Sequence, residues 1–192
     1  MSKQIAVIVG SLRKESFNRK MAKALISLAP KTLSMHIIEI GNLPLYNQDL
    51  EDEGTPPAPW TAFREAVKPC DGVLFVTPEY NRSVPGVLKN AIDVGSRPYG
   101  KSVWTGKPGA IISVSPGAIG GFGANHHLRQ SCVFLDIPTL QQPESYIGNA
   151  KELFKQNGEI ANESTRDFLQ KFINAYADWV LILSQPSANN KA

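Results

Sequence analysis

Short β-rich segments alternate with amphipathic segments along the chain, and this alternation constrains the fold more than any other feature. The run QIAVIV at 4–9 indicates a first strand, and the residues after it show helical spacing, as at Met21, Leu25 and Leu28. Such alternation is typical of βαβ units, so we predict an α/β fold with a parallel sheet. The predicted strands cover 4–9, 33–40, 72–77, 109–114 and a short segment near 137–141.

The segments between the strands predict five helices, at 17–28, 60–69, 84–95, 124–134 and 164–184. The last helix is expected to begin near Ser164, with Asp167 three residues later completing a capping box. The stretch 41–59 is rich in Pro, Asp and Glu, and we predict a long surface loop there. From about residue 186 the chain is polar and is expected to form a frayed tail.

The order of these elements predicts a single domain over 1–192. Right-handed crossovers turn five such strands into a doubly wound, three-layer α/β/α sandwich, for which the strand order 2-1-3-4-5 is the natural choice. In a sheet of this order the crossovers change direction between strands 1 and 3, and ligands bind there, beyond the carboxyl ends of the strands. The loops after strands 1 and 3 are therefore the first candidates for a site.

Bulk composition excludes several classes of protein. Apolar residues make up 42% of the 192-residue chain, and the net charge of +3 is too small and too scattered to predict binding of nucleic acid. No apolar run approaches the roughly 20 residues that span a bilayer, and we expect neither a signal peptide nor a membrane partner. Cys70 and Cys132 are far apart and are expected to be reduced, buried thiols, which favours a cytoplasmic location.

The loop after the first strand combines hydroxyl, amide and cationic groups at the start of a helix. Ser11, Ser16 and Asn18 provide neutral hydrogen-bond donors, and Arg13 and Arg19 are expected to strengthen the site at its rim. The unpaired N–H groups of a first helical turn bind phosphate. The loop lacks both GxxxxGK[ST] and GxGxxG, so it favours a mononucleotide such as FMN over a nucleoside triphosphate or a dinucleotide. In the alternative interpretation Ser16 only caps the helix.

The loop after the third strand, TPEYNRSVPG at 77–86, contains two prolines that stiffen it. A rigid loop presents backbone N–H and C=O groups at fixed positions, and such groups bind the polar edge of a flavin ring. Tyr80 adds an aromatic face or a hydroxyl. The alternative is an ordinary turn bounded by Pro78 and Pro85. We favour the ligand-binding interpretation because both loops follow the strands that flank the switch point.

Three motifs together resemble a known family. GSLRKESFNR at 10–19, TPEYNRSVPGVLKNAID at 77–93 and HLRQ at 127–130 closely resemble the NADPH-dependent FMN reductases, in particular the chromate and quinone reductase branch. The resemblance implies a flavodoxin-like fold, and we take the strand order over from flavodoxin itself. It also implies noncovalent FMN, NADPH or NADH as donor, two-electron reduction of quinones with chromate as a further acceptor, and a homotetramer built as a dimer of dimers.

The resemblance assigns residues to three parts of an FMN site. The residues expected near the phosphate are Ser11, Arg13, Ser16 and Asn18, and the neighbouring Phe17 is also expected to bind the cofactor. Those expected at the flavin ring are Pro78, Glu79, Tyr80 and Asn81, and a third loop contributes Ser115 and Gly117. The chain departs from some relatives at Arg82-Ser83 and in the stretch 120–126, which affects the expected subunit contacts and acceptor preference.

The expected mechanism is ping-pong hydride transfer through FMN, with no catalytic side chain. Arg82 and Lys101 are expected to attract anionic donors or chromate; the alternative, at least as strong for Lys101, is that they are solvated surface cations. No metal site is expected, because the adjacent His126 and His127 cannot share a helix face. Trp104 is expected to pack in the interior or to line the acceptor pocket. The alternatives are an electron carrier, a flavin-binding sensor without fast turnover, and an azo or nitro reductase.

Overall fold

The computed structural model describes residues 1–184, and the predicted polar tail lies outside them. It contains a five-stranded parallel sheet in the order β2-β1-β3-β4-β5, so the predicted strand order is confirmed. The strands are β1 (Lys3–Val9), β2 (Leu33–Ile38), β3 (Gly72–Thr77), β4 (Gly109–Val114) and β5 (Tyr146–Ile147). The helices are α1 (Phe17–Leu28), α2 (Gln48–Asp52), α3 (Ala58–Val67), α4 (Gly86–Gly95), α5 (Phe122–Phe134) and α6 (Glu163–Leu183).

Helices cover both faces of the sheet, which gives three layers. Alternate residues of each central strand enter different cores: in β3, Leu74 and Val76 pack toward α1 and α6, whereas Val73 and Phe75 pack toward α3, α4 and α5. Burial on both faces explains why the central strands are continuous apolar runs instead of alternating apolar and polar residues. Within residues 1–184, no helix combines the length and apolar character needed to cross a membrane.

The predicted surface loop at 41–59 is wrong in part, because this stretch contains α2 and the first residues of α3. The Asn90 side chain fixes the stretch to α4 by donating to the carbonyls of Leu43 and Pro44 at 3.2 and 3.0 Å. Glu51 in α2 forms a partly buried ion pair with Arg64 in α3. The stretch was predicted as a loop because it is rich in proline and acidic residues, and its sequence does not show these tertiary contacts.

The fifth strand lies at Tyr146–Ile147, and the prediction near 137–141 is wrong. The earlier segment makes only an isolated bridge from Thr139 to Gly109, at the start of β4. The prolines at 138 and 143 cannot donate to a ladder, so the chain leaves the sheet edge. It returns at the other end of β4, where Ser113 donates to the carbonyl of Ser145 at 3.0 Å.

The last helix begins one residue earlier than predicted, and its cap is a different residue. Asn162 caps α6 by accepting from the N–H of Thr165 at 3.3 Å, and Ser164 instead donates to the Asn162 side chain at 2.6 Å. Both asparagine and serine are good N-cap residues, so sequence alone does not choose between neighbouring candidates.

Candidate cofactor site at the carboxyl edge of the sheet

The loop after β1 leads directly into the N-terminus of α1. Ser16 caps this helix, and its Oγ accepts from the N–H of Arg19 at 3.1 Å. The first helical hydrogen bond runs from Lys20 to the carbonyl of Ser16, so the N–H groups of Phe17 and Asn18 precede the helical ladder. The helix dipole makes this end partly positive. The cap predicted as the alternative role of Ser16 is therefore present, and its hydroxyl hydrogen remains free to donate to an anion.

Buried polar side chains are concentrated in this loop. Of the nine buried polar residues in the described part of the chain, three lie here, namely Ser11, Ser16 and Asn18, each less than 5% exposed. Asn18 donates to the carbonyl of Val114 at the end of β4 at 3.2 Å, and this contact fixes the orientation of its amide. Its Oδ1 has no hydrogen-bond partner within residues 1–184. An unpaired polar atom is costly in a protein interior, so the unpaired Oδ1 makes this loop a candidate binding site.

The cations of this loop differ in their partners. Arg19 forms two hydrogen bonds to Glu39 at 2.7 and 2.6 Å, which lowers the pKa of the Glu39 carboxyl below its usual value. Lys20 pairs with Glu15 at 3.1 Å. Arg19 is therefore not available to strengthen an anion site, contrary to the expectation from sequence. Arg13 and Lys14 are exposed and form no ion pair with any residue in the range 1–184, so they are the loop cations that remain for a phosphate.

The loop after β3 is a tight turn with an unusual backbone. Tyr80 and Ser83 exchange two backbone hydrogen bonds of 3.1 and 3.0 Å, and the residues between them, Asn81 and Arg82, have φ of 51° and 62°. Positive φ at both central positions defines a type I′ turn. Asparagine tolerates this conformation, whereas arginine in it costs about 1–2 kcal/mol. The strain is held by the surrounding contacts, as is common at functional sites.

The two loops touch at Gly10, the residue that follows β1. A Cβ at this position would lie 3.0 Å from Leu88 Cδ2 and 3.2 Å from Pro78 Cδ, so glycine permits the close approach. The backbone N–H of Gly10 donates to the carbonyl of Val76 at 2.9 Å. The structure therefore brings together the loops at 10–19 and 77–83, as their positions after neighbouring strands predicted.

A third loop, after β4, completes the carboxyl edge. The Ser115 hydroxyl accepts from the N–H of Gly117 at 3.3 Å, which shapes the turn. Further along, a Cβ on Gly120 would lie 2.5 Å from the backbone carbon of Tyr146, so this loop packs tightly against β5. The side chain of Glu79, from the loop after β3, accepts from the N–H of Ala124 in α5 at 3.0 Å. The second and third loops are thus joined through α5.

Two of the residues considered in the sequence lie away from this edge. Lys101 follows the C-terminal end of α4, which carries the chain away from the loop after β3, and the neighbouring Val103 N–H donates to the Gly95 carbonyl at 2.9 Å. The geometry of a single chain gives no support to Lys101 as a substrate-binding residue. Trp104 is fully buried and packs against Phe75, so it belongs to the core and does not line a pocket.

Sequence reasoning missed an aromatic cluster beside the third loop. Phe122 and His126 lie one helical turn apart with ring centroids 4.1 Å apart, and His126 forms a 2.9 Å hydrogen bond with the hydroxyl of Tyr146. Burial raises the pKa of Tyr146 to about 12, and Glu144 adds to this rise. The spacing of Phe122 and His126 is visible in the sequence, but the contribution of Tyr146 depends on the position of β5.

The histidines are used in hydrogen bonds. His127 contacts the Ser83 hydroxyl at 2.9 Å, which links α5 to the loop after β3. Among the residues that the structure describes, no group of three or more His, Cys, Asp or Glu side chains is arranged to hold a metal ion.

Comparison with known proteins identifies the family of this chain. The model of the NADPH-dependent FMN reductase family matches residues 4–152, which include all three loops. The chain belongs to this family. The predicted family, flavodoxin-like fold and dependence on FMN and NAD(P)H are thereby confirmed, and the protein is an oxidoreductase.

Relatives of this reductase cover nearly its whole length. A quinone reductase from Pseudomonas putida is 64% identical over 176 residues, covering 92% of this chain and 94% of that protein. A 2-hydroxy-1,4-benzoquinone reductase from a Burkholderia species is 53% identical over 180 residues, covering 94% and 97%. Among solved structures, the flavoenzyme NAD(P)H:(acceptor) oxidoreductase FerB from Paracoccus denitrificans matches with a TM-score of 0.87 and 42% identity, covering 94% of this chain and 98% of that one.

The residues present in the reductase fit FMN. The buried hydroxyls of Ser11 and Ser16 and the free N–H groups of the first turn of α1 are donors, as a phosphate requires. The loop after β3 has backbone N–H groups at Glu79 and Asn81 that form no hydrogen bond with any group in residues 1–184. Such unused donors suit the oxygen and nitrogen acceptors of a flavin ring.

Proposed function

We propose that the protein is an FMN-dependent NAD(P)H:quinone oxidoreductase that transfers two electrons to its acceptor. The observation that carries the proposal is the contact between the loops at 10–19 and 77–83, made through Gly10 at the switch point of the sheet. The names of the relatives at 64% and 53% identity support a quinone as the acceptor.

In this proposal each loop has a distinct role. The phosphate of FMN is bound by the Ser11 and Ser16 hydroxyls, the N–H groups of Phe17 and Asn18, and Arg13 at the exposed rim. The flavin ring is bound along Pro78, Glu79, Tyr80 and Asn81, with Ser115 and Gly117 on the third side. These assignments are supported by the buried donors of the first loop and by the free backbone N–H groups of the second.

The bound FMN supplies hydride acceptance from the nicotinamide and delivery of two electrons to the acceptor. The chain's own residues bind and orient the reactants, and no side chain is needed as a nucleophile. Arg82 is 73% exposed on the turn after β3 and attracts anionic reactants, which include the nicotinamide nucleotide and chromate. The donor and the acceptor occupy the same site in turn, so we propose ping-pong kinetics.

The decisive experiment measures oxidation of NADPH and of NADH by the FMN-loaded protein, with and without a benzoquinone, while hydroquinone is quantified. Turnover that depends on the quinone, with one hydroquinone formed per nicotinamide oxidised, would establish the proposed activity. Bound FMN without turnover would instead indicate an electron carrier or a sensor. Comparing quinone with chromate, an azo dye and a nitroarene then ranks the acceptors.

We further propose that the enzyme is a cytoplasmic homotetramer built as a dimer of dimers. Support comes from the C-terminal end of α5, where Val133 is 73% exposed and Phe134 is 77% exposed. Exposed apolar groups of this size mark association surfaces when they occur together. The nicotinamide donor is available inside the cell, which supports the location. Light scattering on the wild type and on a Phe134→Glu variant tests the assembly, since the variant is expected to have a lower mass.

A further inference from the structure

Helix α5 has no N-terminal cap of its own. Its N-cap position is Gly121, which has φ of 78° and no side chain to accept a hydrogen bond. The N–H of Ala124, in the first turn, instead donates to Glu79 Oε2 at 3.0 Å. A residue from the loop after β3 therefore caps α5 through an N–H that lies 45 residues later in the chain.

The packing around this contact is tight. The Glu79 side chain is only 10% exposed, and it lies against the first turn of α5. A Cβ on Gly123 would lie 2.7 Å from the backbone oxygen of Arg82 and 3.0 Å from Glu79 Oε2. The turn after β3 thus rests directly on the start of α5, and Gly123 leaves the room for it.

Both oxygens of the Glu79 carboxylate are used within the protein. Oε2 accepts from Ala124, and Oε1 accepts from the Arg82 guanidinium at 3.3 Å. The positive end of the α5 dipole lies beside the same carboxylate. The sequence assigned Glu79 to the flavin ring, but its side chain is already occupied. Its backbone N–H, like that of Asn81, remains unused by other groups of residues 1–184.

We propose that Glu79 is a positioning residue for the cofactor: its carboxylate fixes the 79–82 turn to α5, and so holds the N–H groups of Glu79 and Asn81 toward the flavin ring. The inference rests on the proposed function. In this inference the Glu79 carboxylate binds other groups of the protein, and the backbone N–H groups of Glu79 and Asn81 bind the flavin ring. The same contact joins the second and third cofactor loops, so its loss is expected to loosen both.

The test measures the FMN dissociation constant of the apoprotein by fluorescence titration, together with its thermal midpoint. Glu79→Ala removes the carboxylate, and we expect FMN binding to weaken about 10-fold. Glu79→Gln retains an oxygen that accepts from Ala124, and we expect it to restore most of the affinity. The matched control is Asn162→Ala, which removes the cap of α6, outside the three cofactor loops, and is expected to lower the midpoint without changing FMN affinity.

Several results would contradict the proposed role of Glu79. Wild-type affinity in Glu79→Ala would overturn the inference, and so would equal weakening in Asn162→Ala, which would show general destabilisation. Equal weakening in Glu79→Gln would overturn the role of the hydrogen bond to Ala124. Should Glu79→Ala fail to fold, Gly123→Ala disturbs the same contact from the other side, and unchanged FMN affinity in it would also refute the proposal. Absence of FMN binding by the wild type would refute the proposed function instead.

Discussion

Two glycines in first helical turns provide a matched pair for testing the packing at the cofactor edge. Gly123 in α5 and Gly86 in α4 are both early helical residues, but only Gly123 is enclosed. A Cβ at Gly123 would lie 2.7 Å from the backbone oxygen of Arg82, whereas a Cβ at Gly86 would meet nothing within 4 Å. The same substitution to alanine is therefore expected to have opposite effects at the two positions.

The magnitudes follow from packing and helix propensity. Replacing glycine by alanine in a helix stabilises it by about 0.5–1 kcal/mol, which we expect in full or in part for Gly86→Ala. At Gly123 the same gain is opposed by a steric cost of about 1–3 kcal/mol, because the neighbouring atom belongs to the backbone and cannot rotate away. We expect Gly123→Ala to be the less stable variant by about 1–3 kcal/mol.

Urea unfolding followed by circular dichroism measures both free energies, and thermal unfolding gives an independent check at about 2–4 °C per kcal/mol for a chain of this size. The urea m-value must stay unchanged for the comparison to be valid. Equal stability of the two variants would refute the close contact between the 79–82 turn and α5. It would also remove the steric argument for glycine at position 123.

Three further predictions concern other parts of the fold. Ser16→Ala removes the cap of α1, and we expect a loss of about 1 kcal/mol of stability in urea unfolding together with weaker FMN binding, whereas unchanged values for both would contradict the two roles of this hydroxyl. Because Arg19 lowers the folded-state pKa of Glu39, this carboxylate stabilises the fold above its usual pKa, and the contribution is lost as pH falls through the lower folded value. Glu39→Gln is therefore expected to have a smaller loss of stability in acid than the wild type, as followed by the thermal midpoint below about pH 4.5. Burial raises the pKa of the Cys132 thiol to about 12, so a thiol reagent at pH 8 is expected to leave Cys132 unmodified in the folded protein and to label it after unfolding, as mass spectrometry of the peptides would show.

Four of the five strands could be predicted from the sequence because they depend on local patterns, whereas the strand order was taken over from flavodoxin. The run at 72–77 is apolar on both faces and is buried throughout. The fifth strand could not be located in this way, since it is only two residues long and its pairing depends on where prolines 138 and 143 let the chain return to β4. A segment with good strand propensity near 137–141 lies at the same edge, and only the tertiary contacts exclude it.

In the candidate site, too, local features could be predicted and tertiary contacts could not. The loops after β1 and β3 were predictable, because parallel strands place their carboxyl ends at one edge and the motifs lie at those ends. The hydrogen-bond and ion-pair partners of individual side chains could not be predicted. Arg19 lies in the predicted loop but binds Glu39, and the predicted alternative for Ser16, a helix cap, coexists with a free hydroxyl hydrogen. Charge and spacing identify a binding loop, whereas they do not show which groups the fold itself has already used.

Glu79 shows why this distinction matters for function. In the sequence it lies within the motif that marks the flavin loop, so its carboxylate is the obvious group to assign to the ligand. In the fold, the missing side chains at Gly121 and Gly123 create both the need for a cap on α5 and the space for one, and Glu79 fills it. A carboxylate directed at the flavin ring would also oppose the negative charge that reduction places there. Directing it to a helix N-terminus and to Arg82 removes that conflict and leaves the neutral backbone donors of the turn for the cofactor.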